Sequence, residues 1–475
     1  LPFALNATND FNDDLRRAAR SIFDAALAHS DARLAVRRAL NFTDGRLTIV
    51  NTEFDLRAEP LKVYSIAIGK AGRAMASALD EVLGDALACG VVSAPPVHVP
   101  TDVPTSFPTG VQLSRRWQTF AGGHPLPNEA SLAAACAAFA LLREADAEPR
   151  ALVIFLISGG GSAMLEWPRD EAITLAELRA ANRALVSCGA NVNEINSVRR
   201  AFSSVKGGGL SARAGRAAQI SLIISDTNAG EPFNVASGPT YVSSPFANAP
   251  LATAEIVKRY RLASTLPASI LRAINQPPAP HAATVHAPTP LRAHHVLLDN
   301  ERAVERAAQV AAALGFVCEI ARDVSEDSVE AGAAALVSRL FDLRRRESLS
   351  GVRPVCLISG GEFSCPVRGE GVGGRNAETV LRCAFEIEAQ AARASSDAAH
   401  VVVLSAGTDG IDGNSPAAGA VCDETTLARA RALSLDARKF LEASDAHTFF
   451  AALDDTIRTG ATGTNVRDLR VLIAR

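Results

Sequence analysis

Ala151-Leu-Val-Ile-Phe-Leu-Ile157 runs without a polar residue into Ser158-Gly-Gly-Gly161. An unbroken apolar run of this length, closed by glycines, describes a strand buried on both faces, as in a parallel sheet covered by helices on either side. The glycines at its exit let backbone N–H groups converge on an anion. A second copy of the pattern stands at Leu357-Ile-Ser-Gly-Gly-Glu362. Outward from these two points, strand patterns alternate with helical ones. Residues 63–68, 90–93 and 219–224 read as further strands of the first half, and 295–298, 317–321, 355–358, 401–404 and 469–473 as those of the second. Such alternation predicts an α/β chain built of parallel, doubly wound sheets, with ligands at the carboxyl ends of the strands.

A chain of 475 residues is long for one core, so two α/β/α domains with mainly parallel sheets are expected. An amphipathic helix over about 10–40 opens the chain. Six prolines crowd 263–290, from Pro267 to Pro290, and place the interdomain connection there. The expected division is 1–262, a Pro-rich connection at 263–290, and 291–475, with the N-terminal helix free to pack on the second domain.

The net charge of −3 leaves no electrostatic footprint for nucleic acid, and no apolar run approaches a membrane span. Small-molecule chemistry fits such a chain. Eight cysteines without CxxC spacing point to reduced thiols and a cytoplasmic setting. The sequence begins at Leu1, which keeps a mitochondrial address open.

Chemistry concentrates at the strand exits. Lysine occurs only at Lys62, Lys70, Lys206, Lys258 and Lys439, and Lys70 and Lys206 both stand among glycines. Gly69-Lys-Ala-Gly72 puts an ammonium where a helix begins, a place that also draws anions. Gly159, Gly160, Gly161 and Ser162 form the phosphate-cradle candidate. Asp226, after the fourth strand, is suited to Mg²⁺ or to a substrate proton. Gly369-Glu-Gly-Val-Gly-Gly-Arg375-Asn376 delivers a guanidinium and an amide into a helix, and a guanidinium matches phosphate or carboxylate bidentately. Asp409 and Asp412 follow a buried strand as a cation or polyol candidate, and Thr459-Gly-Ala-Thr-Gly-Thr-Asn465 adds hydroxyls and an amide. His124, in Gly122-Gly-His-Pro-Leu-Pro127, is the histidine set among turn residues. No P-loop, HExxH or GxSxG pattern occurs, the 69–72 turn is GxxG rather than GxGxxG, and 91–93 ends without the acidic residue a dinucleotide ribose requires.

Taken in order, these motifs resemble the class II glycerate kinases that form 2-phosphoglycerate, whose C-terminal half is the MOFRL domain. The resemblance runs through Ala67-Ile-Gly-Lys-Ala71, Gly123-His-Pro-Leu-Pro127, Ser158-Gly-Gly-Gly-Ser-Ala163, Glu194-Ile-Asn-Ser-Val-Arg199 with Lys206-Gly-Gly208, and Ala236-Ser-Gly-Pro-Thr240. It continues through Gly373-Gly-Arg-Asn376, Gly407-Thr-Asp-Gly-Ile-Asp-Gly413 and Thr462-Gly-Thr-Asn-Val466. It implies an active-site cleft between two α/β domains, ATP and D-glycerate as partners, Mg²⁺ as cofactor, a monomer or homodimer, and catalytic roles for Lys70 and Arg375. His124, Asn196, Arg199, Lys206 and Asn376 become substrate-binding candidates, Asn465 joins the nucleotide set, and Asp226, Asp409 and Asp412 the metal set. The chain departs from the family at Ala229-Gly230, where a Gly-Asp pair is usual, with Glu231 as the substitute acid. Two other readings use the same anion turns: a hydroxypyruvate or tartronate reductase, which lacks its dinucleotide fingerprint here, and a noncatalytic sugar-phosphate sensor.

Overall fold

The computed structural model describes residues 11–57, 60–96, 112–242, 250–276, 290–348, 353–393 and 400–475. The helix expected over 10–40 is two helices, α1 (Phe11–His29) and α2 (Ala32–Ala39), interrupted at Ser30-Asp31. The interruption matters because the chain forms two compact units, 32–298 and 299–475, and α1 belongs to the second.

In the unit of 32–298, a small antiparallel sheet comes first: β1 (Leu40–Thr43), β2 (Arg46–Ile49) and β3 (Thr52–Asp55). The main sheet then builds from β4 (Lys62–Ile68), α3 (Gly72–Leu83), β5 (Leu87–Ala94), β6 (Trp117–Ala121), α4 (Glu129–Ala147), β7 (Ala151–Ile157), β8 (Ala218–Ile224) and β9 (Arg292–Leu298). Its order is β6-β5-β4-β7-β8-β9, and every neighbouring pair is parallel. The chain grows from β4 outward to β6, crosses back through α4 to β7, and grows the other way. Right-handed crossovers therefore put α3 and α4 on opposite faces, and the order reverses between β4 and β7. All seven residues of β7 are buried, as an apolar run with helices on both sides requires. α4 covers the face carrying Tyr64, Ile66, Val153 and Phe155. Between β7 and β8 lie α5 (Gly161–Met164), α6 (Leu175–Ser187) and α7 (Val192–Phe202); before β9 come α8 (Pro250–Arg259) and α9 (Ala268–Asn275). α6, α7 and α9 share an apolar cluster of Leu178, Leu185, Val198, Phe202 and Ile270.

This moves the expected boundary. Strand β9 pairs with β8, so 291–298 belongs to the first unit, and 263–276 is packed helix rather than connection because Leu266, Ile270 and Ala273 are buried. The remaining prolines of that segment, Pro277, Pro278, Pro280 and Pro288, lie outside the described residues.

The unit of 299–475 contains α10 (Asn300–Ala313), β10 (Val317–Ile320), α11 (Val329–Ser348), β11 (Val355–Gly361), α12 (Arg375–Arg393), β12 (Val401–Gly407), β13 (Gly419–Asp423), α13 (Thr426–Ala432), α14 (Ala437–Glu442), α15 (Ala446–Ala452), β14 (Thr456–Ile457) and β15 (Asp468–Ala474). Its sheet order is β10-β11-β15-β12-β13-β14. Only β10 and β11 run parallel; β15 lies antiparallel between β11 and β12. The sheet is mixed where a mainly parallel one is expected, because the last strand returns into the centre. One face packs α1 and α10 through Ile22, Phe23, Val304, Ile358, Val402 and Val471. The other packs α11 and α12 through Leu336, Leu340, Val380, Leu357, Val403 and Leu472. Arg16 of α1 clamps the sheet end, 2.6 Å from Asp423 and 2.6 Å from Asp455. All eight cysteines are free thiols, and no helix among the described residues is long and apolar enough to cross a membrane.

Candidate functional site

The carboxyl ends of β4, β7 and β8 gather one group of predicted residues at the point where the strand order reverses, the usual binding position in an open parallel sheet. The Lys70 N–H donates to the Gly159 carbonyl at 2.8 Å, and the Ala71 N–H donates to Ser158 Oγ at 3.0 Å. Ser158 Oγ in turn donates to the Ile68 carbonyl at 3.0 Å, so the two turns are stitched into one surface. Gly159 lies against the Asp226 carboxylate, where a Cβ would collide with Oδ2. Gly160 has φ of +78° and stands where a Cβ would come within 3.3 Å of His124 Nδ1. Lys70, Gly159, Gly160, His124 and Asp226 are thus neighbours around one strand-exit surface. Ser162 Oγ reaches Ser237 Oγ at 2.8 Å, and Ala236 and Ser237 both hold left-handed backbone, with φ of +51° and +61°. Consecutive non-glycine residues in that region store strain, which concentrates at functional sites.

Three other substrate candidates of the same unit, Lys206, Arg199 and Asn196, are engaged by neighbouring side chains. Lys206 and Glu166 form a buried ion pair, with side chains 0% and 1% exposed. Burial pulls the Lys206 ammonium below its ordinary range, and Glu166 opposes that shift. Arg199 Nε donates to Asn182 Oδ1 at 2.9 Å, and its guanidinium is likewise lowered by burial against the pull of Glu166. Asn196 is 2% exposed, accepts from Ser237 Oγ at 2.8 Å and donates to Asn234. Of these, Asn196 supports the strained turn through Ser237, while Arg199 and Lys206 are engaged by Asn182 and Glu166. Glu231 accepts from Asn193 at 3.2 Å and from Asn234 at 3.1 Å, which occupies it as a local brace.

In the other unit the predicted residues meet at the N-terminus of α12. Asp468 begins β15 and is paired in register with Gly361 at the end of β11 and Gly407 at the end of β12, so its carboxylate sits between two strand exits. It accepts from Arg375 Nε at 2.6 Å and Nη2 at 3.2 Å, and from Asn376 Nδ2 at 3.0 Å. Glu362 takes the outer side of Arg375, 2.7 Å from Nη2. Burial alone would lower the Arg375 guanidinium; Asp468 and Glu362 outweigh it and hold the pKa above the ordinary value. Burial would likewise raise Asp468, yet Arg375 and Arg470 keep it below the usual carboxylate range. Phe363, Cys365, Gly373, Gly374, Arg375 and Asn414 line a cavity of about 370 Å³.

Asp412 is not placed as a metal ligand. Its two oxygens accept the first N–H groups of α12, from Asn376 at 2.9 Å and Ala377 at 2.8 Å, so it caps the helix that carries Arg375. Burial pushes its carboxyl up to about 6 against those N–H groups. Asp409 closes a local turn by accepting the Ile411 N–H at 3.1 Å, and Asn465 does the same for Arg467 at 3.1 Å. Asn376 is 2% exposed and braces Asp412, Asp468 and Ser405, leaving it no substrate-facing group. Among the described residues no group of three or more His, Cys, Asp or Glu could hold a metal ion. Sequence reasoning missed Asp468, Arg470 and Glu166. For the first two a signal existed: Asp468-Leu-Arg470 places opposite charges on one face of an otherwise apolar strand.

Residues 18–275 match the family model described as a domain of unknown function, DUF4147, and 355–468 match the MOFRL family. Human glycerate kinase is 34% identical over 97% of this chain and 93% of its own length. A D-glycerate 2-kinase of Thermotoga maritima is 30% identical over 86% of this chain and 89% of its own, and a putative hydroxypyruvate reductase of Agrobacterium vitis is 36% identical over 86% and 98%. The crystal structure of glycerate kinase from Thermotoga maritima superposes with a TM-score of 0.75 at 27% identity, covering 98% of this chain and 100% of that one. This chain belongs to the glycerate kinase family, in which a DUF4147 domain is followed by a MOFRL domain.

Proposed function

We propose that this protein is a glycerate 2-kinase, which moves the γ-phosphoryl group of ATP to the 2-hydroxyl of D-glycerate. The observation that carries this reading is the meeting of Lys70, Gly159, Gly160, His124 and Asp226 at the reversal point of a parallel sheet. Phosphoryl transfer is mostly positioning and neutralisation of spread negative charge, and these groups supply both. The backbone of Gly159, Gly160 and Gly161 with Ser162 receives nucleotide phosphates, and Asn465 is a further nucleotide contact. Mg²⁺ needs one or two carboxylates beside phosphate oxygens, and Asp226, set against the cradle, fits that demand. Bound there, the ion would neutralise charge on the β and γ groups. Lys70 draws the anion to the turn, His124 accepts or donates at the acceptor hydroxyl, and Arg375 offsets charge on the transferring group. The reading carries with it ATP and D-glycerate as partners, a monomer or homodimer, and a cytoplasmic setting.

The name of the Agrobacterium relative favours a reductase as the second reading. Against it, the turn after β4 is Gly69-Lys-Ala-Gly72, and β5 ends at Ser93-Ala94 with no carboxylate for a ribose. Steady-state assays separate the two. ATP- and D-glycerate-dependent ADP release, reduced roughly 10²- to 10³-fold in Lys70→Ala, supports the kinase. NADH oxidation by hydroxypyruvate with no ADP release would replace it.

A further inference from the structure

Arg375 is held by its neighbours in a way its proposed role alone does not require. Its Nε and Nη2 both go to one carboxylate, Asp468, which is 1% exposed. Behind Asp468, Arg470 Nη2 lies 3.7 Å away, and the Arg470 guanidinium is itself locked: it stacks 3.5 Å over the Phe363 ring and donates to the Gly360 carbonyl. Asn376 Nδ2 holds the remaining flank of Asp468 at 3.0 Å. The half-exposed Glu362 lies 2.7 Å from Nη2, and the fork to Asp468 uses Nε and Nη2 rather than Nη1.

We propose that Asp468 is a positioning residue, which fixes the plane of the Arg375 guanidinium by a fork of two hydrogen bonds so that its Nη1 edge keeps one direction. This rests on the reading of Arg375 given above. A guanidinium bound through one nitrogen can rotate about that bond, whereas the fork fixes its plane. Arg470 and Asn376 stop the carboxylate from following a ligand. A buried carboxylate with a cation on either side also keeps its charge through neutral pH, so the clamp is in place there.

The test is a double-mutant cycle in turnover on D-glycerate and ATP. Asp468→Asn keeps the shape but turns one acceptor into a donor facing Nε. It is expected to lower kcat and kcat/KM together by roughly 10²-fold, the scale for a misplaced group. Arg375→Ala is expected to lose roughly 10³-fold or more. The double variant is expected to match Arg375→Ala, because Asp468 then has nothing to position. Losses that multiply in the double variant overturn the proposal, since Asp468 then acts apart from Arg375. Near-normal turnover in Arg375→Ala overturns the catalytic reading itself, a result distinct from multiplied losses. If Asp468→Asn does not fold, Asp468→Glu keeps the charge and shifts the fork by one methylene. A loss of about tenfold that vanishes in the Arg375→Ala background supports positioning, and an equal loss in both backgrounds contradicts it.

Discussion

The exits of β4, β7 and β8 and the exits of β11 and β12 both end in glycine turns, yet they present charge in opposite ways. At the first, the surface is made of turns stitched by Ser158 and by main-chain bonds between them. At the second, side-chain charges are locked together, with Arg375 between Asp468 and Glu362 and Asp412 spent on the helix N-terminus. A surface of N–H groups can adapt to an anion's shape, while a clamped guanidinium meets it from one direction. The sheets explain the contrast. Parallel strands bring only their exits together, so the first surface is made of turns. The antiparallel β15 brings its own first residue between two exits, so a charged side chain from a strand start enters the second.

That contrast gives an ordered set of expectations beyond the Arg375 and Lys70 variants. In the adaptable surface, Gly159→Ala drives a Cβ into the Asp226 carboxylate and should lower turnover by about 10²-fold. Gly215→Ala is the matched control, because the nearest atom to its added Cβ is 3.8 Å away, and its kinetics should equal those of the parent. Lys206→Met strands Glu166 without its partner and should cost about 3–5 kcal/mol of stability in denaturant melts. Substrate KM should hold; a large KM rise without destabilisation would return Lys206 to the ligand.

Arg16→Met leaves Asp423 and Asp455 without the α1 cation and should cost roughly 3 kcal/mol at pH 7. The sign of its pH dependence follows from Asp423. Burial raises this carboxyl, but Thr425 and Arg16 hold it below its unfolded value, so its contribution is present above about pH 4 and lost as pH falls through the lower folded value. The gap between parent and variant should therefore close in acid; a constant gap from pH 7 down to pH 3 would show that Asp423 is not the cause. The smallest effect belongs to Asn128→Ala, which removes the capping box of α4 and should lower stability by about 1 kcal/mol with turnover unchanged.

The buried parallel strands were legible because their composition is their burial: β7 reads from its apolar run to the residue. β6, Trp117–Ala121, is half exposed and carries no such run, so it escapes the pattern. Strand direction is not written in periodicity, which is why the central, antiparallel place of β15 was not anticipated. At the site, glycine turns single out Lys70, Gly159 and Arg375 as candidates. The same glycine context does not show the pairing of Lys206, since its partner Glu166 lies 40 residues upstream and only folding buries the pair. Asp412 likewise resembles a metal carboxylate until the start of α12 is found to occupy both its oxygens.

The central claim rests on which bond is made. Phosphorus NMR of the product formed from ATP, Mg²⁺ and D-glycerate should show 2-phosphoglycerate, absent when Lys70→Ala is used at the same concentration. A 3-phosphoglycerate signal, or no phosphoester at all from folded protein, would contradict the account.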